Sequence, residues 1–313
     1  MANEAPLVSV VLLSYERPHL LKNALESLIG QSYRNLEIIV VNNKGPSSDR
    51  IAEIVSDYPH IKLIRNENNS GFTGGMNRGI EEASGKYIFL TEDDIIVDMD
   101  CIRHMVDYME SNTSTGIVSG IMFNKNSGTI RCAGGDFSLG TIYKQKIYGM
   151  GEEDRGQFTL PFDVTFVSGG MLFGRLEIIK KLNGFRQEFF MYYEDVELCS
   201  RILKLGYKIT ILPQAKTYHF EPLADTLSEY LRFNGLKNLF SVYILHAKFL
   251  NIVVFIFRYG IINFFQSMFY DKKNFLLLLK LWMWLIRRLP FLFNERYIGI
   301  KPPHLTSPQR GEG

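Results

Sequence analysis

A chain of 313 residues with 46% hydrophobic content can bury one large core or two ordinary ones, which excludes a disordered or fibrous protein. Its three cysteines, Cys101, Cys132 and Cys199, are too few and too scattered for a disulfide framework or a CxxC metal knuckle, and they read as small buried hydrophobes in a reducing compartment. The net charge of +2 conceals an asymmetry: residues 236–301 carry ten Lys and Arg against two acids while the remainder is net acidic, so two different surfaces are implied.

The first six residues have neither a basic nor an apolar leader region, which predicts a cytoplasmic protein. Leu7 to Ser14 is a continuous apolar, β-branched run of the kind found in strands covered on both faces. Pro18 then opens a helical pattern with Leu21, Leu25, Leu28 and Ile29 on one side. The unit repeats: Leu36–Val41 as strand, Ser48–Ser56 as helix, Ile61–Arg65 as strand, a helix from about Thr73 to Ala83, and Tyr87–Leu90 as strand. Such alternation predicts a parallel sheet with right-handed crossovers, whose ligands sit at the carboxyl ends of the strands. Polar residues gather at those ends: Ser14, Tyr15, Glu16 and Arg17 after the first strand, Asn42 and Asn43 after the second, and Asn69, Gly71 and Asn77 ahead of the fourth. One cleft would collect them. Gly71, Gly74 and Gly75 precede a helix as phosphate cradles do, but they match neither G-x-G-x-x-G nor a Walker loop, and a helix-entry turn is the better reading.

After the fourth strand come Glu92, Asp93 and Asp94. Crowded carboxylates raise each other's pKa unless a cation sits between them, and hard ions such as Mg²⁺ or Mn²⁺ take oxygen ligands of this kind. The competing reading is a solvated turn whose acids cap a helix starting near Asp98 to Asp100.

Beyond Val118 the pattern shortens into strands and loops, consistent with a mixed second half that builds an acceptor surface. In Phe189–Arg201, Asp195 stands at a helix start behind mostly aromatic residues, where partial desolvation lifts a carboxyl toward the range of a general base. Complementing the helix dipole would suit Glu194 and Asp195 equally well. Farther on, His219 follows a strand-like Ile209–Leu212, a setting in which a single His is usually structural.

Four stretches in register carry a resemblance over about residues 6–235: VSVVLLSYER, NNSGFTGGMNRGIEEASGKYIFLTEDD, VSGGMLF with its following NGF, and YYEDVELCSR. Together they resemble the family 2 glycosyltransferases with the GT-A fold, rhamnosyltransferase-like enzymes of bacterial surface polysaccharides in particular. The resemblance implies a mixed Rossmann-like α/β sheet with helices on both faces. It places Glu92, Asp93 and Asp94 on a DxD-type motif that holds Mg²⁺ or Mn²⁺ against the donor diphosphate, Asp195 on the catalytic base, and His219 where some relatives supply a further metal ligand. Two departures concern the nucleoside: the pattern usually has Asn where Glu16 stands and Asp-Asn where Asn42-Asn43 stands, so a UDP-, dTDP- or GDP-linked donor remains open. The motif also begins with Glu, which changes reach but not charge.

The physical reading agrees. A leaving diphosphate needs its charge neutralised and an attacking hydroxyl needs a base, and a single base on the far side of the sugar implies inversion. The expected activity is therefore a metal-dependent inverting hexosyltransferase acting on a glycan or lipid-linked acceptor, with no nucleic-acid partner. A nucleotidyltransferase would show a basic glycine-rich loop after the first strand, where this chain reads Ser-Tyr-Glu-Arg. A non-catalytic membrane scaffold with a degenerate transferase domain would release no nucleoside diphosphate.

Within the first 235 residues the division falls near residue 115, between a nucleotide-sugar half and an acceptor half. From Leu236 the composition turns basic and aromatic, and Lys273, Lys280 and Arg287 recur every seven residues amid apolar ones. The run from Lys273 to Arg287 is short of the roughly 20 apolar residues that a span needs. Helices lying in the interface of an anionic membrane, peripheral on the inner face, are therefore expected over 236–300, with Trp282 and Trp284 at headgroup depth. A helical subdomain packed on the core or on a second copy, and a span or re-entrant segment within 249–270, are the alternatives. A disordered tail is expected over 301–313.

Overall fold

A computed structural model of the chain describes residues 5–220 and 228–298. Two compact units are distinct, one made of Met1–Ser138 with Lys144–Gly235 and the other of Leu139–Tyr143 with Leu236–Gly313. The expected tail, 301–313, lies outside the described residues.

The first unit opens with β1 (Val8–Ser14), α1 (Pro18–Ile29), β2 (Leu36–Asn42), α2 (Ser48–Ser56), β3 (Lys62–Arg65), α3 (Gly71–Glu82) and β4 (Tyr87–Glu92). Parallel pairing of β1 with β2 and β4, and of β2 with β3, sets the order β3-β2-β1-β4. Every residue of β1 is buried because helices cover both faces. Val8, Val10 and Leu12 share a core with Leu21, Leu25 and Leu28 of α1, while Val11 and Leu13 face α3. That second contact explains the glycines. A Cβ at Gly79 would lie 2.2 Å from Val11 Cγ1, and one at Gly75 would lie 2.3 Å from Leu13 Cδ1, so α3 packs almost backbone to strand. Gly75 thus serves helix packing, whereas a Cβ at Gly74 would meet Ser70 Cβ at 2.5 Å in the helix-entry turn, and the helix starts at Gly71, two residues before the expected Thr73.

The second half follows with β5 (Ile95–Val97), α4 (Cys101–Ser111), β6 (Thr115–Asn124), β7 (Ile130–Cys132), the hairpin β8 (Gly135–Ser138) and β9 (Lys144–Ile147), β10 (Phe162–Asp163), β11 (Leu172–Arg175), α5 (Leu176–Lys181), α6 (Glu194–Lys204) and β12 (Lys208–His219). β11 lies antiparallel between β4 and β6, and β12 runs parallel to β6, which makes the sheet mixed. β12 is longer than Ile209–Leu212 alone would suggest, because its far end pairs with β5 and sets His219 opposite Ile95. The acids of 92–94 do not cap α4: its N-cap is Asp100, and β5 intervenes. A hydrophobic run that pairs as a strand thus overrides the capping alternative.

In the second unit the helices are α7 (Glu229–His246, entering from the first), α8 (Phe249–Phe255), a π-helical stretch (Ile256–Ile262), α9 (Asn263–Tyr270) and α10 (Lys272–Ile298). They have a core of their own, where the Tyr243 ring stacks on Phe255 at 3.7 Å between centroids and Phe264 meets Phe275 at 5.0 Å. The hairpin tip belongs here as well: Asn251 Nδ2 donates to Leu139 O at 2.8 Å. Nothing in the sequence pattern pointed to that attachment.

The Gly79 contact is open to test. An Ala in place of Gly ordinarily stabilises a helix by about 1 kcal/mol, but here the added methyl must displace Val11, and overpacking costs about 1–3 kcal/mol. Gly79→Ala should therefore lower the urea midpoint with an unchanged m-value, whereas a higher midpoint would show that α3 moves away freely.

Candidate active site

The carboxyl ends of β1 and β4 are neighbours, so the polar residue that ends β1 meets the acids that end β4. Asp93 is fully buried and turned inward: its Oδ2 accepts from Ser14 Oγ at 2.7 Å and from Tyr15 N at 3.0 Å. Its other oxygen, Oδ1, is 3.0 Å from Arg17 Nε, although no donor is aligned on it as a hydrogen bond. Arg17 also pairs with Asp94 Oδ2 and stands 3.8 Å from Glu92 Oε2. One guanidinium thus lies against all three carboxylates. Burial pushes Asp93 up to about 6 in spite of Arg17, and burial also raises Asp94.

Asp94 is the centre of the second contact. Its Oδ2 is 3.7 Å from Nε2 of the buried His219, and its backbone oxygen accepts from Phe220 N at 2.9 Å. The pairing of β12 with β5 creates this approach across more than a hundred residues of chain. Among the described residues, no three His, Cys, Asp or Glu side chains converge in a ligand set. Even so, several donor atoms suit a hard divalent ion: Asp94 Oδ1 is buried without a hydrogen bond, and Glu92 is partly open to solvent. With the His219 imidazole beside Asp94, these groups suit Mg²⁺ or Mn²⁺ by donor chemistry, though not by a converged geometry. Asp93, expected in the same set, has Oδ2 on the end of β1, while its Oδ1, like that of Asp94, is buried without a hydrogen bond.

Along the expected donor cleft the asparagines divide by use. Asn43 is spent internally, donating to Asn69 Oδ1 and Gly71 O at 3.0 Å each and accepting from Asn66, Ser70 N and Ser70 Oγ. Asn42 donates to Ser48 O at 2.7 Å, which fixes the amide's orientation and leaves Oδ1 as a buried acceptor with no partner. Tyr15 and Glu16 are exposed at the rim, Glu16 with φ 58°. Asn77 bonds the backbone of Phe185 through both its amide nitrogen and its oxygen, at 2.8 and 2.9 Å, and so pins the Gly184 turn.

Asp195 opens α6, partly exposed, with Oδ1 accepting from Val196 N at 2.7 Å and Oδ2 from Gly169 N at 3.4 Å. The protein packed around it pushes its carboxyl up to about 6, against the pull of those N–H groups. Glu194 is buried with Oε2 unpartnered, and burial, reinforced by the Asp195 charge, holds it well above the usual carboxylate range. The turn before them is strained. Phe190 has φ 63° and ψ −57°, with Met191 N donating to Phe189 O at 2.7 Å as in a γ-turn. Tyr192 and Tyr193 also have positive φ, a conformation costly for bulky residues. α6 is held by Glu197, fully buried, which pairs with Arg186 Nε at 3.0 Å and Arg201 Nη2 at 2.7 Å.

The dipeptide Gly169-Gly170 joins the two acid centres. A Cβ on Gly169 would come within 3.8 Å of Asp195 Cβ, and one on Gly170 would lie 2.8 Å from Glu92 Oε1. The VSGG stretch carried this signal in the sequence without revealing what the glycines face. Arg131 in β7 carried none: it is an isolated cation in a short strand, yet its charge reaches Asp94. Cys132 beside it lies near enough to Asp195 to feel that carboxylate, though burial is the main cause that pushes its thiol up to about 11.

Comparison with known proteins bears on this arrangement. The family model described as Glycosyl transferase family 2 matches residues 9–182, more than half of the chain, and one described as the N-terminal domain of galactosyltransferase matches residues 155–224. An uncharacterized glycosyltransferase of Haemophilus influenzae is 28% identical over 206 residues, covering 64% of this chain and 61% of that protein. The poly-beta-1,6-N-acetyl-D-glucosamine synthase of Staphylococcus epidermidis is 28% identical over 218 residues, covering 69% of this chain and 50% of the synthase. The chain thus spans only about half to three-fifths of the length of these two relatives. Among solved structures, GalNAc-T7 with UDP, GalNAc and Mn²⁺ superposes with a TM-score of 0.63 at 16% identity, over 92% of this chain and 57% of that one. A mannosyltransferase of Pyrobaculum calidifontis in complex with GDP-Man and Mn²⁺ gives 0.57 at 14% identity, over 95% and 86%. At such identities the likeness is one of fold, GT-A-like and mixed α/β. Since the family match runs from β1 through the acid cluster and VSGG to α5, the chain belongs to glycosyl transferase family 2.

Proposed function

We propose that this chain transfers a sugar from a nucleotide-diphosphate sugar to a glycan or lipid-linked acceptor, with inversion at the anomeric carbon and in the presence of a divalent metal. The observation that carries the reading is the closeness of the two acid centres, with Glu92 against Gly170 and Asp195 against Gly169. Glu92, Asp93, Asp94 and His219 would hold Mg²⁺ or Mn²⁺, which as a Lewis acid would neutralise the leaving diphosphate. Structures of similar fold contain Mn²⁺ with UDP or GDP-Man, which supports a nucleotide-sugar donor.

The chain's own residues would do the remaining work. Asn42 offers its unpartnered oxygen to a donor N–H, and Ser14, Tyr15, Glu16 and Arg17 border the same cleft with Asn43, Asn69 and Gly71 behind them. Asn69 and Asn43 act there by shaping the loop. Asp195, held by the Gly169 and Val196 N–H groups, takes the acceptor hydroxyl proton as the oxygen attacks. Asp93 would set the distance between β1 and β4. The polysaccharide synthase among the relatives supports a growing glycan as acceptor. A cytoplasmic enzyme, peripheral to the inner face of the cell membrane, fits this reading, and the three free cysteines agree with a reducing compartment.

Asp195→Asn should lower kcat by about 10² to 10⁴ with donor affinity unchanged, because the base acts only on the acceptor. Turnover per folded molecule equal to that of the parent protein would remove the base. The pH dependence has a definite sign. Asp195 must be ionised to accept a proton, and its carboxyl is raised to about 6, so kcat should fall as pH drops through about 6. Stability runs the other way: the folded protein keeps this proton at pH values where the unfolded chain has released it, so the contribution is present below about 4 and is lost as pH rises toward about 6. A kcat that stays flat between pH 5 and 7 at saturating donor would refute the assignment.

The guanidinium of Arg17 supplies the second test. Removing it leaves three neighbouring carboxylates uncompensated, so Arg17→Gln should melt lower than the parent protein in EDTA and regain more of its Tm when Mn²⁺ is added. Equal Mn²⁺-induced shifts in both proteins would mean that the ion does not bind at these acids.

A further inference from the structure

Most large hydrophobic side chains that remain exposed among the described residues fall between Phe249 and Phe291. These helices already have a core, so the exposure is not a shortage of partners for the buried side. In α10, Leu277, Leu281 and Leu285 face inward, while Leu276, Leu279, Met283 and Ile286 face out, the last 72% exposed. Their spacing of three, four and three keeps the outward set on one sector. Leu276 and Met283 each follow a lysine, Lys273 and Lys280, by three residues, which on an α-helix places them about 60° round from those cations. A basic row of Lys273, Lys280 and Arg287 therefore borders an apolar sector along the helix. The antecedent stretch repeats the mixture, with Lys248 beside exposed Phe249 and Leu250, and Arg258 beside exposed Phe257.

Phe249–Phe269 is, at 21 residues and mean hydropathy 1.6, long and apolar enough to cross a membrane. Its contents argue against crossing. Arg258 stands at its middle, where a cation is costly, and Asn263 and Gln266 are exposed beside it. One side is also committed to neighbouring helices: Phe255 stacks on Tyr243, and a Cβ on Gly260 would lie 2.9 Å from Trp282. An apolar sector flanked by cations fits a surface that is greasy below and anionic above. Monomeric proteins rarely leave so continuous an apolar patch to water.

We infer that the outward face formed by α8, the π-helical stretch, α9 and α10 docks in the plane of an anionic phospholipid bilayer, with its apolar side chains among the upper acyl chains and Lys273, Lys280, Arg287 and Arg258 at the lipid phosphates. The π-helical stretch, Ile256–Ile262, slows the rotation of the chain and so brings Phe265 and Phe269 back toward the sector begun by Phe257. A second copy of this chain would cover the apolar side chains but would set equal basic rows against each other. Both tryptophans of the protein, Trp282 and Trp284, lie on α10 and report its depth.

The test mixes the 313-residue chain with vesicles of phosphatidylcholine alone or with added phosphatidylglycerol. Binding should require the anionic lipid and fall with added salt. Tryptophan emission should shift to the blue and be quenched more by bromines near the headgroup than by bromines at the acyl ends. Lys273→Glu with Arg287→Glu should weaken binding by about fivefold for each unit of positive charge removed. Ile286→Ser with Phe269→Ser, both at exposed positions that the fold does not depend on, should reduce binding with Tm unchanged. Salt-independent binding with deepest quenching from acyl-end bromines would overturn the proposal in favour of a span. Failure to bind either vesicle, with a solution dimer that Ile286→Ser dissociates, would overturn it in favour of an interface between copies.

Discussion

Three carboxylates in a row at the end of a buried strand repel one another, and in this protein a single guanidinium answers them. Arg17, three residues past the end of β1, reaches Glu92, Asp93 and Asp94 together. Because Asp93 also accepts from Ser14 and the backbone of Tyr15, the same charges that would hold a metal tie the carboxyl ends of β1 and β4 to each other. A site whose acids are compensated from within is stable before any donor arrives, and its donor atoms are partly preorganised. If a metal ion binds at these acids, Arg17 would have to give up some of its contacts to it.

The proposed base is held by a different device. Asp195 starts a helix, but the turn that delivers it passes through three bulky residues at positive φ, which only a rigid surrounding makes tolerable. That rigidity comes from Glu197, buried between two arginines one helical turn on, and from Asn77, which clamps the preceding Gly184-Phe185 turn. Strain at the base and strength around it belong together. Gly169 and Gly170 complete the arrangement by having no side chain to keep Glu92 and Asp195 apart.

The helical unit shows that apolar composition alone does not decide what a helix does. Leu281 and Ile286 are equally hydrophobic and five residues apart in one helix, yet one is fully buried and the other largely exposed. What separates them is position on the helix relative to neighbours, and the cations bordering the exposed sector give it a chemical preference.

The sequence by itself determined the parallel half of the sheet, because an uninterrupted apolar run such as Leu7–Ser14 has few uses other than a strand covered on both faces, and strand ends then collect the polar residues. It also singled out Glu92 to Asp94 and Asp195 as candidate site residues, through motifs with a recognisable local pattern. Only the tertiary structure decided what each of those acids touches. Side-chain direction separates Asp93, locked to β1, from Asp94 beside His219, and residue type cannot encode that difference. The same holds for Asn42 and Asn77, which look alike in sequence but end with an unpartnered buried oxygen in one case and an amide bonded through both oxygen and nitrogen in the other. Arg131 near Asp94, the mixed pairing of β11, and the seating of the 139–143 tip among the helices all depend on contacts between residues far apart in the chain, and a pattern read along the sequence has no term for distance across it.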